Sequence, residues 1–464
     1  MVRLFNVYYP TRVLILLAGE ALIVCSSFIL AAYVRFGRDA VLFLNFEGGY
    51  GQIALAAGVC LICLYYFDLY DSLIISNPRE VLTRLIQVLG ATCLIMAPVS
   101  YVLPTARLEI GVFLIGIVVA GIFLGLWRKL FLMVNASPSL ARRALILGTG
   151  PQLTSLSREI EKRPEWGVRL TGYVGEPPNS PAALNGLSRL GAVEELVPLV
   201  ERERVSQVIV AMGERRGRLP VEDLLKLKTR GVLIQDGSDV YETLTGKVPL
   251  DSLRLSWLIF SSRGFPVSQV VLLYKRLMSI LLSAVGLILV TPLMAIIAVA
   301  LRLDSKGPVI FRQKRVGQDG KLFDLFKFRT MRHSADPADQ SRPAQENDDR
   351  ITRVGRWLRR TRLDELPQLY NILRGDMYFI GPRPFVPNQE QEMAEKIPFY
   401  SQRWAVRPGA TGWAQINHGY CATVEDNAEK LAYDLFYIKN MSIGLDLLIA
   451  FRTVKVLLLG RGSR

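Results

Sequence analysis

The chain has 464 residues, half of them hydrophobic, with mean hydropathy +0.27, yet 56 Lys+Arg against 41 Asp+Glu give it a net charge of +15. A single soluble domain does not combine that hydropathy with 21% charged residues, whereas a chain divided into membrane and water-soluble segments does. Its two histidines, His333 and His418, exclude a multi-histidine metal centre and point the chemistry toward carboxylates and cations.

Four stretches are long and apolar enough to span a bilayer: Val13–Val34, Gly51–Phe67, Leu82–Leu103 and Leu108–Trp127. The first is too long, and lacks the small-residue site, for a cleavable signal. Glu20 lies within it, as a buried site or as a carboxyl facing the bundle. Cys25, Cys60, Cys63 and Cys93 lie in apolar runs and Cys421 stands alone. No second pair completes Cys60-x-x-Cys63, which is therefore assigned to helix packing. Arg3 and Arg12, Arg79 and Arg84, and the run Arg128, Lys129, Arg142, Arg143 place both ends of this bundle in the cytoplasm, against the opposing Arg35, Arg38 and Arg107.

From Arg142 short apolar runs alternate with amphipathic ones. Strands are expected at Ala144–Leu147, Arg169–Val174, Val205–Ala211 and Val232–Gln235, and helices at Gln152–Lys162, Val193–Glu203 and Val221–Arg230. That alternation predicts a parallel sheet flanked by helices, a Rossmann-like module. Gly148-Thr-Gly150 ends the first strand where a backbone can approach a phosphate, but Leu153 stands where the dinucleotide fingerprint has its third glycine. A bound nucleotide and a purely structural module both fit. The chain has no Tyr-x-x-x-Lys, which argues against a short-chain dehydratase or epimerase.

Leu277–Leu301 is uncharged and long enough to span. Thr291-Pro292 interrupts it, basic residues bracket it at Lys275-Arg276 and at Arg302 and Lys306, and the residues beyond it carry 27 Lys+Arg against 19 Asp+Glu. A helix that enters, breaks at Thr291-Pro292 and returns to the cytoplasmic face satisfies all three observations, where a kinked span does not.

Beyond it come Arg312-Gln-Lys314-Arg315-Val-Gly317 and Phe326-Lys327-Phe-Arg329-Thr-Met331, cations beside aromatics that suit phosphate or anionic head groups and form no nucleic-acid module. Arg353 to Arg362 places five arginines around Val354, Trp357 and Leu358, the pattern of a basic helix on an anionic membrane surface. Asp364-Glu365 follows, and Pro367 fits a first helical position. Both carboxylates then sit near a helix N-terminus, where the dipole and guanidiniums are expected to keep them ionised, as a nucleophile or as a metal ligand. Gly381-Pro-Arg383-Pro384 fixes an arginine between two φ-locked prolines, either a phosphate ligand or a solvated turn.

These residues resemble the bacterial sugar transferases, the large monotopic polyprenyl-phosphate phosphoglycosyl transferases of exopolysaccharide and O-antigen biosynthesis. The resemblance spans nearly the whole chain. It is most specific in Arg315-Val-Gly, Lys327-Phe-Arg-Thr-Met331, Leu363-Asp-Glu-Leu-Pro-Gln-Leu369, Arg374-Gly-Asp-Met377, Gly381-Pro-Arg-Pro384, Pro408-Gly-Ala-Thr-Gly-Trp-Ala-Gln415 and Tyr433–Asn440. Ser279 departs from the Lys-Arg-x-x-Asp with which the family's anchor commonly opens, and Thr291 from its Ser-Pro break. The implied architecture is a membrane protein of α plus α/β class. It has a four-helix transmembrane bundle (1–135), a Rossmann-like module (140–262) and a catalytic domain (270–464) anchored by a re-entrant helix (277–301) and interfacial amphipathic helices.

The implied reaction transfers a sugar-1-phosphate from a UDP-sugar to undecaprenyl phosphate through a phosphosugar on Asp364. Glu365 assists and holds Mg²⁺, while Lys314, Lys327, Arg329, Arg362 and Arg383 bind substrate. The resemblance also implies the bacterial inner membrane, a catalytic domain facing the cytoplasm, contact with membrane lipids, a homodimer as candidate assembly, and no nucleic acid. The competing reading is a membrane-bound, nucleotide-sensing regulator or scaffold with an inactive transferase domain.

Overall fold

The computed structural model describes residues 2–70, 78–135, 141–175, 183–184, 186–213, 218–250, 268–332, 348–419 and 423–458; His333 and Cys421 lie outside them. The chain divides into two compact units, residues 1–3 with 8–240 and residues 4–7 with 241–464.

Two short strands, β1 (Val2–Leu4) and β2 (Val7–Tyr9), precede the helices of the first unit. These are α1 (Thr11–Phe36), α2 (Ala40–Phe46), α3 (Gly49–Tyr66), α4 (Pro78–Val102) and α5 (Ile110–Asn135). Four apolar segments here are long enough to cross a membrane, and they coincide with the four predicted spans. α1 packs on α3 and α5, and α4 packs on the same two helices, around Val24, Phe28, Cys60, Leu64, Val88 and Leu124. Cys60 and Cys63 belong to this packing as free thiols. Glu20 is fully buried and fully engaged: Arg128 Nη2 lies 2.6 Å from Oε1, and the Tyr70 hydroxyl donates to Oε2 at 2.5 Å. An acid inside the span is thus neutralised by a cation from another helix, as the cost of a lone buried charge requires.

The rest of this unit is α/β. Its elements are β3 (Arg142–Leu147), α6 (Pro151–Glu161), β4 (Val168–Val174), β5 (Ala183–Leu184), β6 (Leu187–Gly191), α7 (Leu196–Arg202), β7 (Gln207–Val210), α8 (Val221–Thr229) and β8 (Leu233–Asp236). The strands lie in the order β5-β6-β4-β3-β7-β8, all parallel except β5. Ala144–Leu147 and Gln207–Val210 are buried throughout, as interior strands of a two-sided parallel sheet should be. Leu153 is fully buried under this sheet, and the Gly148-Thr-Gly150 turn reverses about the switch between β4 and β7 on either side of β3.

α9 (Gly237–Thr245) ends inside the second unit. Residues 241–250, expected in the 140–262 module, are tied instead to the C-terminal residues. Glu242 pairs with Lys439 at 2.9 Å, Lys247 with Glu429 at 2.5 Å, and the Gly246 carbonyl accepts from Trp413 Nε1 at 2.9 Å. Residues 251–267, and with them the expected boundary at 262–270, lie outside the described residues.

α10 (Gln269–Asp304) is the fifth apolar helix. It continues through Pro292 where a break was expected, with Thr291 Oγ1 donating to the Leu287 carbonyl at 2.5 Å. Both ends of α10 are buried against this same unit, through Lys275, Ser279 and Ser283 at one end and Ile297 and Leu301 at the other. Its middle, from Val285 to Ile296, is exposed or half-buried.

The rest of the unit comprises β9 (Ile310–Val316), β10 (Leu322–Phe328), α11 (Arg353–Thr361), α12 (Gln368–Arg374), β11 (Tyr378–Ile380), α13 (Pro387–Lys396), β12 (Gly409–Thr411), α14 (Trp413–Asn417), α15 (Val424–Lys439) and α16 (Ile443–Leu458). β9 and β10 form an antiparallel ribbon, β11 and β12 a parallel pair. The apolar residues of α11 divide: Leu358 and Val354 pack against Ile297 and Leu301 of α10, while Trp357 remains exposed.

Candidate active site

Asp364 and Glu365 sit in one 3₁₀ turn, Leu363–Glu365, between α11 and α12. Local chemistry fixes both flanks. Thr352 Oγ1 caps α11 by accepting from Gly355 N at 2.9 Å. A Cβ on Gly355 would fall 2.1 Å from the Thr330 carbonyl oxygen, so only glycine lets the helix lie against the chain leaving β10. Arg362 ends α11 in the left-handed region, at φ 59°, and swings the chain into the acidic turn. On the far side Pro367 precedes α12, whose last carbonyls, of Ile372 and Leu373, accept from Arg276 of α10 at 3.0 and 2.9 Å.

Asn371 of α12 completes the alignment. Its Oδ1 accepts from Phe326 N at 3.0 Å and its Nδ2 donates to the Asp324 carbonyl at 2.7 Å, so a side chain bonds β10 as a neighbouring strand would. Lys327, the next residue on β10, reaches Glu365 Oε1 at 3.1 Å. Arg383 Nη2 reaches the same oxygen at 2.8 Å, and Arg362 Nη1 lies 3.8 Å from it.

Burial works to raise Glu365, yet Arg383 and Lys327 outweigh it and hold this carboxyl well below the usual carboxylate range. Asp364 behaves oppositely. Burial, seconded by the Glu365 charge, pushes its carboxyl up against the lowering effect of Lys327, Arg359 and Arg362. The dipole and guanidiniums expected to keep both acids ionised act unequally on them: the cations converge on Glu365, and desolvation dominates at Asp364.

The Arg383 loop is held at nearly every backbone group. Gly381 N donates to the Thr411 carbonyl at 2.9 Å, and Gly409 N to the Pro382 carbonyl at 2.9 Å. A Cβ on Gly409 would lie 2.0 Å from Gly381 N. Arg403 Nη2 donates to the Arg383 carbonyl at 2.8 Å, while the same guanidinium pairs with Glu390 at 3.1 Å and Asp434 at 2.9 Å and bonds the Tyr400 hydroxyl at 2.7 Å. The Ile380 carbonyl accepts from Lys275 Nζ at 3.1 Å, and Lys275 pairs with Asp446 at 2.6 Å and the Tyr437 hydroxyl at 2.6 Å.

Of the predicted substrate cations, the structure brings Lys327, Arg362 and Arg383 to the acidic pair. It does not bring Lys314 or Arg329. Lys314 is 67% exposed and lies 3.6 Å from Asp324. Arg329 is buried and donates to the carbonyls of Leu301, Ser305 and Lys306, closing the C-terminus of α10. The residues missed by sequence reasoning are Arg403, Glu390, Lys275 and Asp446. Asp434 and Tyr437 carried a signal through the Tyr433–Asn440 motif, and Lys275 one that read as a basic flank of the apolar helix.

For a divalent cation the donor set is small: among the described residues no three His, Cys, Asp or Glu side chains cluster. Asp364 and Glu365 offer hard oxygens suited to Mg²⁺ only as one or two protein ligands, with substrate phosphates and water completing the shell.

Comparison with known proteins follows these divisions. Residues 270–460 match the bacterial sugar transferase family, and residues 65–226 match a CoA-binding domain family. The chain is 43% identical over 225 residues to the UDP-N-acetylgalactosamine-undecaprenyl-phosphate N-acetylgalactosaminephosphotransferase of Aeromonas hydrophila, covering 48% of this chain and 52% of that one. It is 37% identical over 328 residues to the undecaprenyl-phosphate glucose phosphotransferase of Komagataeibacter xylinus, covering 68% and 59%. Those two matches thus span little more than half of the relatives' length. With the UDP-glucose:undecaprenyl-phosphate glucose-1-phosphate transferase of Caulobacter vibrioides the identity is 41% over 213 residues, covering 45% of this chain and 79% of that protein. With its site motifs assembled in one folded unit and relatives matched through most of their length, the chain belongs to the bacterial sugar transferase family.

Proposed function

We propose that this protein transfers a hexose-1-phosphate from a UDP-sugar to polyprenyl phosphate, undecaprenyl phosphate in bacteria, as the first step of assembling a polysaccharide repeat unit. The observation that carries the reading is the Asp364-Glu365 turn with Lys327, Arg362 and Arg383 converging on one Glu365 oxygen. The activities for which the relatives are named agree with it.

In the first half-reaction a carboxylate oxygen of Asp364 bonds the β-phosphorus, the bond from that phosphorus to the bridging oxygen breaks, and UMP leaves with the electron pair. In the second, a polyprenyl phosphate oxygen attacks the same phosphorus, yields the diphosphate-linked sugar and regenerates Asp364. Lys327 and Arg383 supply fixed positive charge where phosphoryl oxygens gather charge, and bidentate Arg383 is the better orienting group. Glu365 holds these cations in place before substrate arrives. Glu365 is the residue that would hold Mg²⁺, which would supply further neutralisation of phosphate charge. The raised Asp364 carboxyl is a stronger nucleophile once ionised than an ordinary aspartate, because burial has stripped its water.

We further propose a four-helix transmembrane bundle and a re-entrant α10. The support is the burial of both ends of α10 on one unit, with its apolar middle exposed or half-buried. This topology keeps the site at the head-group level on the cytoplasmic face of the inner membrane, where UDP-sugars are found.

The test is incubation of detergent-solubilised protein with a panel of UDP-sugars and Mg²⁺, followed by intact-mass analysis and peptide mapping. A sugar-phosphate adduct on the Asp364 peptide, absent in Asp364→Asn, is expected. Absence of adduct, UMP and lipid product with every sugar and added polyprenyl phosphate overturns the reading in favour of an inactive scaffold.

A further inference from the structure

The β9–β10 ribbon decides which cation of the run Arg312–Arg315 belongs to the site. Its register pairs Arg315 with Phe323, Gln313 with Leu325 and Phe311 with Lys327, while Lys314 pairs with Asp324. Side chains alternate between faces along a strand, and directly paired residues share a face. Arg315, Gln313 and Lys327 therefore occupy one face and Lys314 the other. Lys327 identifies the first face as the one that meets Glu365. Lys314, on the second, is solvated beside Asp324.

Arg315 joins the site through the loop that carries Arg383. Its Nη1 donates to the Pro384 carbonyl at 3.1 Å, and Val316 N donates to the Phe385 carbonyl at 3.1 Å, so the end of β9 is bonded to the residues directly after Arg383. Its Nη2 donates to Gln313 Oε1 at 2.6 Å, and its Nε is buried with no hydrogen-bond partner among the described residues. The edge formed by Nε and Nη2 is one on which a guanidinium takes an oxyanion through two parallel bonds. Here that edge carries one neutral side-chain amide on one nitrogen and nothing on the other. A buried guanidinium N–H without an acceptor is costly unless a ligand completes it. Burial and then the Arg383 charge push the Arg315 guanidinium down to about 10, with Glu365 and Glu390 opposing them, which places it within electrostatic reach of the catalytic cluster.

We propose that Arg315 is a second phosphate-binding arginine of the donor site, its Nε–Nη2 edge taking a diphosphate oxygen in place of the Gln313 amide, while Lys314 has no part in binding. This rests on the proposed UDP-sugar reaction and adds a ligand to it.

The experiment measures UDP and uridine binding by calorimetry to full-length detergent-solubilised protein, for wild type, Arg315→Gln, Arg315→Lys and Lys314→Gln, alongside adduct formation from the UDP-sugar. Expected are UDP binding weakened about 10- to 100-fold by Arg315→Gln, the range for a charge-assisted bidentate contact, and a smaller loss for Arg315→Lys, which keeps the charge but not the fork. Uridine binding should be unchanged in both, and Lys314→Gln should stay within about twofold of wild type by the surface-charge estimate. A merely structural Arg315 would weaken uridine and UDP alike or lower the unfolding midpoint without separating them; either result overturns the proposal, as does wild-type UDP affinity in Arg315→Gln. Wild-type protein that forms the adduct while Arg315→Gln binds UDP normally refutes this inference alone. Wild-type protein that neither binds UDP nor forms an adduct refutes the reaction itself.

Discussion

Replacing Arg403 with methionine tests how the Arg383 loop is supported. Arg403, Glu390 and Asp434 have side chains only 2–3% exposed, and the guanidinium joins the two carboxylates to the Arg383 carbonyl. Deleting one partner of a buried ion pair costs about 3–5 kcal/mol, because the other charge is left uncompensated. Glu390 keeps two other donors, Trp404 Nε1 at 2.9 Å and Phe385 N at 3.2 Å, so most of the penalty falls on Asp434. Burial already pushes the Asp434 carboxyl up against the lowering effect of Arg403. Without Arg403 it takes up a proton, which limits the loss to about 3 kcal/mol, the low end of that range. For a unit of about 200 residues this corresponds to a fall of roughly 6–12 °C in the unfolding midpoint. Thermal unfolding in detergent followed by tryptophan fluorescence measures it, and UMP release reports the accompanying loss of Arg383 alignment. Because the mutant holds a neutral Asp434 only by binding a proton, its deficit should widen as pH rises, and Asp434→Asn in the same background should remove that widening. A deficit below about 1 kcal/mol, or one independent of pH and of Asp434→Asn, would refute the electrostatic account.

The raised Asp364 carboxyl predicts that single-turnover UMP release loses rate, as pH falls, at a pH above the ordinary aspartate value. Lys327→Met should move that limb upward and Glu365→Gln downward, since these neighbours lower and raise the carboxyl respectively; shifts in the reverse directions would contradict the assignment. Gly355→Ala and Gly409→Ala place a methyl 2.1 Å and 2.0 Å from backbone atoms and should abolish adduct formation with a lowered unfolding midpoint, whereas Gly51→Ala, where a Cβ meets nothing within 4 Å among the described residues, should be silent. For α10, single cysteines at Ser268 and Lys306, both exposed, should react with an impermeant maleimide from the same side of the membrane. Labelling from opposite sides would defeat the re-entrant topology.

Most of the fold was legible because its signals are local. The four long apolar helices, the interior strands β3 and β7 and the helix after Gly150 follow from hydropathy and periodicity over about twenty residues or fewer. What was not legible depends on register or on distant partners. Lys314 reads as a substrate cation from its spacing alone, but in a strand one residue changes the face, and the ribbon sets Lys314 on the face opposite Lys327. Arg329 has the composition of a phosphate ligand, yet the unfilled carbonyls at the end of α10 bind it first. Lys275 and Arg276 looked like a topological flank of basic residues, but a buried aspartate and the end of α12 claim them. The opposite pKa shifts of Asp364 and Glu365 could not be inferred from two adjacent letters, because they arise from which of them the cations reach after folding.

The Gly381-Pro-Arg-Pro sequence explains why so many distant residues converge there. Pro382 and Pro384 have no N–H, so this segment cannot complete a strand ladder with its neighbours. Its carbonyls nevertheless need donors once buried. The structure supplies them largely from side chains on separate elements: Lys275 of α10 and Tyr437 of α15 on Ile380, Arg403 on Arg383, and Arg315 of β9 on Pro384, with Gly409 N on Pro382. A loop chosen for rigid presentation of one arginine thereby makes the rest of the unit its hydrogen-bond partner. The membrane helix is included, since Lys275 lies on α10 and bonds the residue directly before Gly381. A change at the base of the anchor is therefore expected to reach Arg383 through a single carbonyl, which couples the seating of α10 to the geometry of phosphate binding.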